Sequence, residues 1–555
     1  MAELTQRQQM ISRWGALKNE RSSWMYHWQE ISDNLLPRNG RFFVTDKNRG
    51  EKKHNQILDS TTTRALRVLG AGMMAGLTSP ARPWFRLTTL DPQLDESNNV
   101  KIWLAEVTRM MQMVFAKSNT YRALHSMYEE LGAFGTSSNI VLSDYDSIIH
   151  HYPLTIGEFA IATDYRGDVD TLYREFQMTA IQMVRQFGKD NCSTAVQRLY
   201  DTHNYDAWVP VIHAIEPRMD REHGRRDAKN MPWQSVYFEL GGDSSKVLSE
   251  SGFRNLPALS PRWLATGGDI YGNSPGMEAL GDIKQLYHEQ LRKAQGIDYK
   301  TKPPLQVPTS MVNQTINTLP GGVSYVDPAN PNGGIRSAFE VNLDLSHLLA
   351  DIQDVRQRIN SCFYVDLFLM LASSQNPQMT ATEVAERHEE KMLMLGPVTE
   401  RIGNEILDPL IDVTFSNLVE NNLIPPPPEE LQGRELNVEY IGMLAQAQRA
   451  IATNAVDRYV SSIGVVAGMK PEVLDKFDAD KWADAYADML GVDPELIVPG
   501  EQVALIREQR AQQQQQMQQA AMLNQGADTA QKLASAGTDD DNALTDITRA
   551  LSGYT

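Results

Sequence analysis

The side chains with the most chemical capacity in this sequence are two histidines that each precede a glutamate. His288 is followed by Glu289, and His388 is followed by Glu389. A zinc helix of the HExxH type needs a second histidine four residues after the first, because both rings must then lie on one helix face. Neither pair has one. Both pairs are therefore interpreted as exposed helix faces.

The other histidine pair and the cysteines also lack a ligand spacing. His150 and His151 are adjacent in a strand-like run, so their rings point to opposite faces and cannot share a metal ion. Cys192 and Cys362 are the two cysteines of the chain, with no CxxC pattern. We expect both to be small buried hydrophobic residues, without a disulfide or a zinc site.

No pattern for nucleotide or acyl chemistry is present. The chain has neither a P-loop nor a GxSxG elbow. Gly70, Gly72 and Gly76 continue an amphipathic helix, whereas a phosphate-binding glycine loop must join a strand to a helix, so we interpret them as sites of close helix packing. The many carboxylates of residues 343–422 are spread along helical surfaces, and Asp539 to Asp541 fall in a polar tail. We therefore expect no enzyme, no metal and no cofactor.

Charge is distributed unevenly along the 555 residues, which carry a net charge of −18. Residues 1–90 contain 14 Lys and Arg against 7 Asp and Glu, whereas residues 343–422 contain 5 against 13. Affinity for nucleic acid comes mainly from cations that release counterions, so any contact with DNA must be local or weak. No apolar run is long enough for a membrane span and the N-terminus lacks a signal peptide, which predicts synthesis in the cytoplasm and no membrane partner.

The elements that carry these residues centre on a long helical hairpin, residues 343–422. Its first segment has apolar residues at helical spacing, such as Leu348, Ile352 and Val355, and ends in an apolar run at Leu371. A polar loop follows, and a second helix continues to Asn422. Gly396 and Pro397 predict a kink in that second helix, because proline removes a backbone donor and clashes with the preceding turn.

The remaining chain reads as a predominantly helical α+β protein. An aromatic-rich helix is predicted over residues 5–36, and further helices over 98–117, 120–132 and 178–187. A later helix begins with Ser274 as its cap and Pro275 at its first position. Strand-like runs lie at 139–142, 150–154, 159–162, 209–213, 236–240 and 246–248. Residues 301–336 are rich in Pro and Gly and predict either a small protruding subdomain or a disordered loop, with residues 305–307 and 323–326 favouring short strands.

In this order of parts the chain resembles the portal, or head-to-tail connector, proteins of short-tailed double-stranded DNA bacteriophages. The resemblance covers about residues 8–490. The motifs that carry it are Asp59-Ser-Thr-Thr-Thr-Arg-Ala-Leu66, Gly72-Met-Met-Ala-Gly-Leu-Thr-Ser-Pro80, Trp84-Phe-Arg-Leu87, Leu131-Gly-Ala-Phe-Gly-Thr136, Arg262-Trp263, Tyr271-Gly-Asn-Ser-Pro275 and Ala279-Leu-Gly-Asp-Ile-Lys284.

The resemblance implies a ring, usually of twelve copies, around a channel for the genome. Its parts in this sequence are a wing (1–273), a stem helix (274–295), a clip (296–342), a second stem helix (343–371), a tunnel loop (372–380), a kinked wing helix (381–422) and a crown (423–500), followed by a Gln-rich helical extension or barrel (501–525) and a disordered tail (526–555).

The resemblance also implies functional positions and partners. The tunnel loop that faces DNA consists of Ser373, Ser374, Gln375, Asn376 and Gln378; the acids of the stem that line the channel are Asp344, Asp351 and Asp354; the clip region that binds partners includes Pro303, Pro304 and Tyr325. The implied partners are other copies of the chain, a terminase, a tail adaptor, capsid and scaffolding proteins, and double-stranded DNA that passes through with weak, non-specific contact. The implied location is the head-tail junction of the virion.

Two other hypotheses remain open at this point. One is a different phage structural protein, such as a capsid or internal core component, which predicts no closed ring. The other is an acidic-channel nuclease, which requires a compact carboxylate cluster that the sequence does not display.

Overall fold

A computed structural model describes residues 5–42, 56–91, 94, 97–222, 224, 225, 227–241, 246–307, 309, 336, 337, 346–372, 395–442, 444, 459–468, 470–490, 498 and 500–534. The chain forms two compact units. The larger unit comprises Met1–Asp95 and Trp103–Ala455, and the smaller comprises Glu96–Ile102 and Val456–Thr555.

Helices predominate in the described residues. In chain order they are α1 (Gln6–Asn34), α2 (Thr61–Leu77), α3 (Asn98–Lys117), α4 (Thr120–Phe134), α5 (Ala180–Phe187), α6 (Thr194–Asp201), α7 (Pro275–Glu278), α8 (Leu280–Thr301), α9 (Ser346–Cys362), α10 (Val365–Ala372), α11 (395–402), α12 (Asp408–Glu420), α13 (459–467), α14 (Ala479–Leu490) and α15 (Gly500–Ala534). The predicted α+β class with mainly helical content is confirmed.

The strands pair in antiparallel sheets. They are β1 (Phe85–Thr89), β2 (Ser138–Asp144), β3 (Ile148–Leu154), β4 (Phe159–Thr163), β5 (Val169–Thr179), β6 (Trp208–Pro217), β7 (Trp233–Glu239), β8 (Ser249–Phe253), β9 (Ala258–Leu259), β10 (Leu305–Gln306), β11 (Arg336–Ser337) and β12 (Leu436–Tyr440). The largest sheet has the order β4-β5-β6-β7-β8, a second has the order β3-β2-β9, and β1 pairs with β12 and β10 with β11.

Helices pack on the five-stranded sheet, and the hydrophobic core lies between the helices and the sheet. On α1, Met10, Trp14 and Leu17 pack against Tyr173 and other buried residues of the sheet, and the Trp14 and Tyr173 rings stack with centroids 6.2 Å apart. A second cluster joins α5 and α6 to the sheet through Met183, Phe187, Cys192, Val196 and Val211. The stripe of α1 residues predicted from the sequence is thus a core surface, because most of its members are buried.

Two side chains form hydrogen bonds with outward-facing backbone groups of the edge strand β4. The Arg21 guanidinium donates to the Phe159 carbonyl oxygen, and the Tyr271 hydroxyl accepts from the Ile161 amide (3.2 Å). Unpaired edge groups invite another strand, so these bonds protect this edge of the sheet from strand addition.

Close helix packing is confirmed at Gly70 and Gly72 of α2, whereas a Cβ at Gly76 would be in ordinary contact with Leu444, 3.5 Å away. A Cβ at Gly70 would lie 2.7 Å from Glu129 Cγ, and a Cβ at Gly72 would lie 2.2 Å from the Phe368 ring. The neighbouring helix α4 has the same feature at Gly132, where a Cβ would lie 2.3 Å from Leu69 Cδ2. Absence of a side chain at these positions lets α2 approach α4 and α10 closely.

In the smaller unit, an ion pair joins two helices. Arg507 at the start of α15 contacts Asp480 of α14, with 2.6 Å between Nη1 and Oδ2. Both side chains are more than half exposed, so the pair contributes little stability. Helix α15 continues to Ala534, past the predicted end of the Gln-rich segment at residue 525.

Candidate functional site

The two helices predicted as the stem lie side by side as an antiparallel pair, α8 and α9. The chain enters α8 through the one-turn helix α7, where the Ser274 hydroxyl accepts from the Met277 amide (3.0 Å) and Pro275 occupies the first turn. This start was predicted from the sequence and is confirmed. We call Leu280–Thr301 and Ser346–Cys362 together the two-helix arm.

An arginine connects the two helices of the arm. Arg358 of α9 lies 2.9 Å from Asp282 of α8 and 3.2 Å from Asp354, one turn earlier on α9. Arg358 and Asp354 are largely exposed, so this network positions the helices more than it stabilises them.

A pair of carboxyl groups faces across the arm. Glu289 of α8 is 8% exposed, which corrects the expectation of an exposed position, whereas the adjacent His288 is exposed as expected. Glu289 Oε1 accepts from Gln285 Nε2 (2.7 Å). Burial raises the pKa of Glu289, and the neighbouring Asp351 of α9 raises it further. Two carboxylates at close range cannot both ionise without cost, so this pair favours holding one proton.

Asp59 joins the arm to α2. Its Oδ2 accepts from Arg356 Nη2 (2.7 Å) on α9 and from Gln290 Nε2 (2.8 Å) on α8, while its Oδ1 accepts from the Thr61 amide (2.9 Å). Burial acts to raise the pKa of Asp59, but the hydrogen bonds from Thr61 and Arg356 outweigh it and lower the pKa. The charged carboxylate thus ties three helices together at the base of the arm.

The helix that follows the predicted tunnel loop is interrupted. Its described part begins with α11, passes through a π-helical turn at Gly403–Leu407 and continues as α12. Pro409 is the second residue of α12 and has no amide hydrogen, so it cannot donate to the Glu405 carbonyl as an α-helical residue would. The π turn ends at Leu407, two residues before Pro409, so the proline accounts for the position of the π turn in the chain.

The π turn also places Glu405 against a buried arginine. Glu405 Oε1 lies 2.5 Å from Arg262 Nη2 and 3.1 Å from Nε, and its Oε2 accepts from the Arg262 amide (2.7 Å). The Gly167 carbonyl oxygen accepts from Nη2 at 2.8 Å. The side chains are 4% and 13% exposed for Arg262 and Glu405, so this pair is desolvated.

Beyond the π turn, α12 is held by polar contacts to two sheets. The Tyr440 hydroxyl of β12 donates to Asp408, and the Ser143 hydroxyl of β2 donates to Asn417 Oδ1 (2.8 Å). Burial raises the pKa of Asp408. Burial also raises that of Asp412, and the charge of Asp408 adds to the effect. The helix is therefore fixed at Glu405, Asp408 and Asn417.

The predicted functional positions are only partly within the described residues. Asp351 and Asp354 are exposed on α9, and Pro303 and Pro304 lie between α8 and the short strand β10. Gly396 and Pro397 lie in the first turn of the described α11, so the kink there stays a prediction. The residues that lie outside the described part are Ser373, Ser374, Gln375, Asn376, Gln378, Asp344 and Tyr325.

The first residues of the predicted crown, 423–500, are partly described. Residues 423–442 lie in the larger unit, where Leu436–Tyr440 pairs with Phe85–Thr89.

The cysteines and the adjacent histidines do not converge on a site. Cys192 is buried, and burial raises the pKa of its thiol to about 11. Cys362 is only partly buried, which corrects the expectation of full burial; its thiol donates to the Pro275 carbonyl oxygen (3.4 Å). His151 is buried between Thr120 and Asn139, and burial lowers its pKa to about 4.

The described residues contain neither a metal-binding cluster nor a membrane-spanning helix. They contain no group of three or more His, Cys, Asp and Glu side chains arranged to hold a metal ion. None of their helices is long and apolar enough to cross a membrane.

The sequence analysis missed the residues that fix the interrupted helix. Arg262 was noted only as part of a motif, and Glu405, Asp408 and Tyr440 were not singled out. Pro409 inside an apolar-periodic helix was the available signal, because an interior proline predicts a local distortion. The partner Arg262 lies 143 residues away in sequence from Glu405, so no local pattern indicates it.

Asp59 braces the arm against α2, and Arg262 braces the interrupted helix. The chain belongs to the family of bacteriophage head-to-tail connecting proteins, and the model of that family matches residues 7–498. The family resemblance read from the sequence motifs is thereby confirmed.

Two full-length relatives extend this result. The chain is 71% identical over 555 residues to the probable portal protein of Bordetella phage BPP-1, covering 100% of both chains. It is 48% identical over 551 residues to the portal protein of Salmonella phage epsilon15, covering 99% of both. Among solved structures, a chain of the virion of a native gene transfer agent particle has a TM-score of 0.38 at 10% identity, covering 84% of this chain and 99% of that one.

Proposed function

We propose that this chain assembles into a closed ring at the unique vertex of the capsid, with a central channel for genome packaging and ejection. The observation that carries this proposal is the match over the full length of both chains to the two phage portal proteins. The two-helix arm supports it, because a pair of braced antiparallel helices repeated around an axis can form the wall of a tube.

In this proposal the arm lines the channel, and acids keep DNA from adhering to it. Asp351 and Asp354 are exposed on α9, and Asp344 precedes that helix in the sequence. Arg358 partly neutralises Asp354, and the Glu289–Asp351 pair favours holding one proton, so the repulsion comes from the negative charge that remains. A ring multiplies that charge around the duplex, and like charge repels phosphate over a Debye length of about 8–10 Å. A duplex can then slide through without being held.

The ends of the arm would make the other contacts. The clip, with Pro303, Pro304 and Tyr325, would face the terminase during packaging and the tail adaptor afterwards, and the wing would contact capsid and scaffolding proteins. The loop with Ser373, Ser374, Gln375, Asn376 and Gln378 would offer only neutral hydrogen-bonding groups to DNA.

The first test of the proposed function is the mass of the purified assembly. With chains of 62.3 kDa, a ring of twelve has a mass of about 750 kDa, measurable by multi-angle light scattering and visible as a ring in negative stain. We expect a closed ring. A chain that remains a monomer or dimer under assembly conditions would reject the channel and favour a capsid or internal core protein.

The second test concerns the loop. Replacing Gln375, Asn376 and Pro377 with glycine should leave the rings intact and lower the amount of DNA packaged or retained per particle. The matched control replaces Met219, Asp220 and Arg221, in a connection of the five-stranded sheet, with glycine and should leave DNA content unchanged. Normal DNA content in the loop variant would remove the loop from the mechanism.

A further inference from the structure

Two hairpin tips of the larger unit each present an exposed tyrosine beside aspartates. Tyr145 lies between Asp144 and Asp146 in the turn that joins β2 to β3, and its exposed fraction is 107%. Tyr165 follows Asp164 in the turn that joins β4 to β5, and its exposed fraction is 88%. Exposed aromatic side chains on rigid turns are common anchors of protein interfaces, because few rotatable bonds are lost on binding.

At the second tip the chain itself supplies a cation. The Arg166 guanidinium lies 5.3 Å from the centroid of the Tyr165 ring, and its Nε donates to the Tyr165 hydroxyl (2.7 Å). Arginine above an aromatic ring is a favourable electrostatic contact. The β4–β5 tip thus demonstrates that an arginine guanidinium can bind a tyrosine that stands next to an aspartate.

At the β2–β3 tip, no described residue supplies a corresponding cation. No described cation lies over the Tyr145 ring, and no described cation forms an ion pair with Asp146. The carboxylate of Asp144 is already used inside the turn, where its Oδ2 accepts from the Ser147 amide (2.9 Å) and hydroxyl (2.8 Å). The turn is therefore rigid, and Tyr145 and Asp146 face outward.

The backbone of this tip is held in a costly conformation. Ile148 has φ of +69°, a left-handed conformation that a β-branched residue rarely adopts. The tip is also anchored from below, since Ser143 donates to Asn417 of α12 (2.8 Å). Strain of this kind is retained where the surrounding structure fixes it, and it concentrates at functional sites.

We propose that residues 144–148, the β2–β3 tip, bind an arginine-bearing surface in the basic N-terminal region, residues 1–90, of a second copy of this chain. Charge complementarity selects this occupant, because residues 1–90 carry 14 Lys and Arg against 7 Asp and Glu. Arg64 and Arg67 of α2 are exposed and form no ion pair with another described residue, so they are suitable donors. The inference rests on the proposed ring, in which each copy meets two others.

Photo-cross-linking tests the contact directly. The full chain is produced with p-benzoylphenylalanine in place of Tyr145, assembled, irradiated and digested, and cross-linked peptides are identified by mass spectrometry. We expect cross-links between position 145 and residues 1–90 of a second copy, distinguished from contacts within one copy by mixing isotopically light and heavy chains. Cross-links to another region, or none in assembled rings, would overturn the inference.

Substitution gives an independent measurement. Tyr145→Ser should raise the protein concentration at half-assembly about tenfold, the effect of losing one interface anchor worth about 1.4 kcal/mol. The matched control is Tyr165→Ser, which removes an equally exposed tyrosine whose arginine partner lies in its own chain, and it should leave that concentration unchanged. Equal assembly of the Tyr145 variant and the wild type would refute the contact while leaving the ring intact. Absence of rings from the wild type would instead refute the proposed function.

Discussion

Glu405→Gln tests whether the buried ion pair holds the interrupted helix. The substitution keeps the shape of the side chain but removes its charge, and one oxygen that accepts from Arg262 becomes an amide donor. Arg262 is 4% exposed, so its guanidinium would remain buried without a counter-charge. Breaking a buried pair by removing one partner costs about 3–5 kcal/mol. Because glutamine can still accept one hydrogen bond, we expect a loss of about 3 kcal/mol in the free energy of unfolding.

A second ion pair of the same unit supplies the matched control. Arg86 of β1 lies 2.5 Å from Glu439 of β12, and both side chains are about one quarter exposed at 25% and 24%. Water screens such a pair, so Glu439→Gln should cost no more than about 1 kcal/mol. Both pairs join an arginine to a glutamate, so the contrast reports burial together with the additional contacts of Glu405 to Arg401 (3.4 Å) and the Arg262 amide (2.7 Å).

The assay is urea unfolding of the full chain, followed by tryptophan fluorescence. Trp263 adjoins Arg262 and is 6% exposed, which makes it a local reporter for this region. The double variant Arg262→Met with Glu405→Gln removes both charges and should recover most of the loss. Equal losses for Glu405→Gln and Glu439→Gln, or no recovery in the double variant, would refute the assignment of a buried pair.

Two further predictions concern packing and pH. Gly72→Ala should cost about 1–3 kcal/mol, since its Cβ would lie 2.2 Å from the Phe368 ring, whereas the matched helical variant Gly281→Ala, with nothing within 4 Å, should gain up to about 1 kcal/mol in thermal or urea unfolding. Burial raises the pKa of Glu130 to about 7, against 4.5 for a free side chain. A folded state that holds this proton loses stability as pH rises from about 4.5 to 7, so Glu130→Gln should flatten the measured stability over that window, and an unchanged slope would contradict the assignment.

The sequence predicts well those elements whose signals are local. The cap at Ser274, the proline that follows it and the apolar stripe of α1 each depend on residues within a few turns of one another, and all three are found. The opposite orientation of His150 and His151 also follows from strand geometry alone: His151 is buried and His150 is only partly buried.

The strand β5, Val169–Thr179, lies inside the five-stranded sheet and was missed because its polar residues hide the strand pattern. Glu175 lies 3.6 Å from Lys18 of α1, and the Tyr173 hydroxyl donates to Glu216 (2.8 Å) of the next strand. Arg174 packs over the Phe176 ring at 4.5 Å. Glu175 and Tyr173 are accommodated by partners far away in sequence, so tertiary contacts outweigh the local composition.

The interrupted helix illustrates the same limit at the candidate site. It contains two prolines, Pro397 and Pro409, and the rule that proline removes a backbone donor applies equally to both. The sequence analysis placed a kink at Pro397, which stays a prediction, but it overlooked Pro409, next to which the π turn lies. A π turn has i→i+5 hydrogen bonds and so contains one more residue than the α-helical turn that it replaces. The extra residue rotates the preceding residues by about 100° relative to a continuous α-helix. The face that α11 presents is therefore set by the π turn that lies beside Pro409 and that Arg262 holds through Glu405.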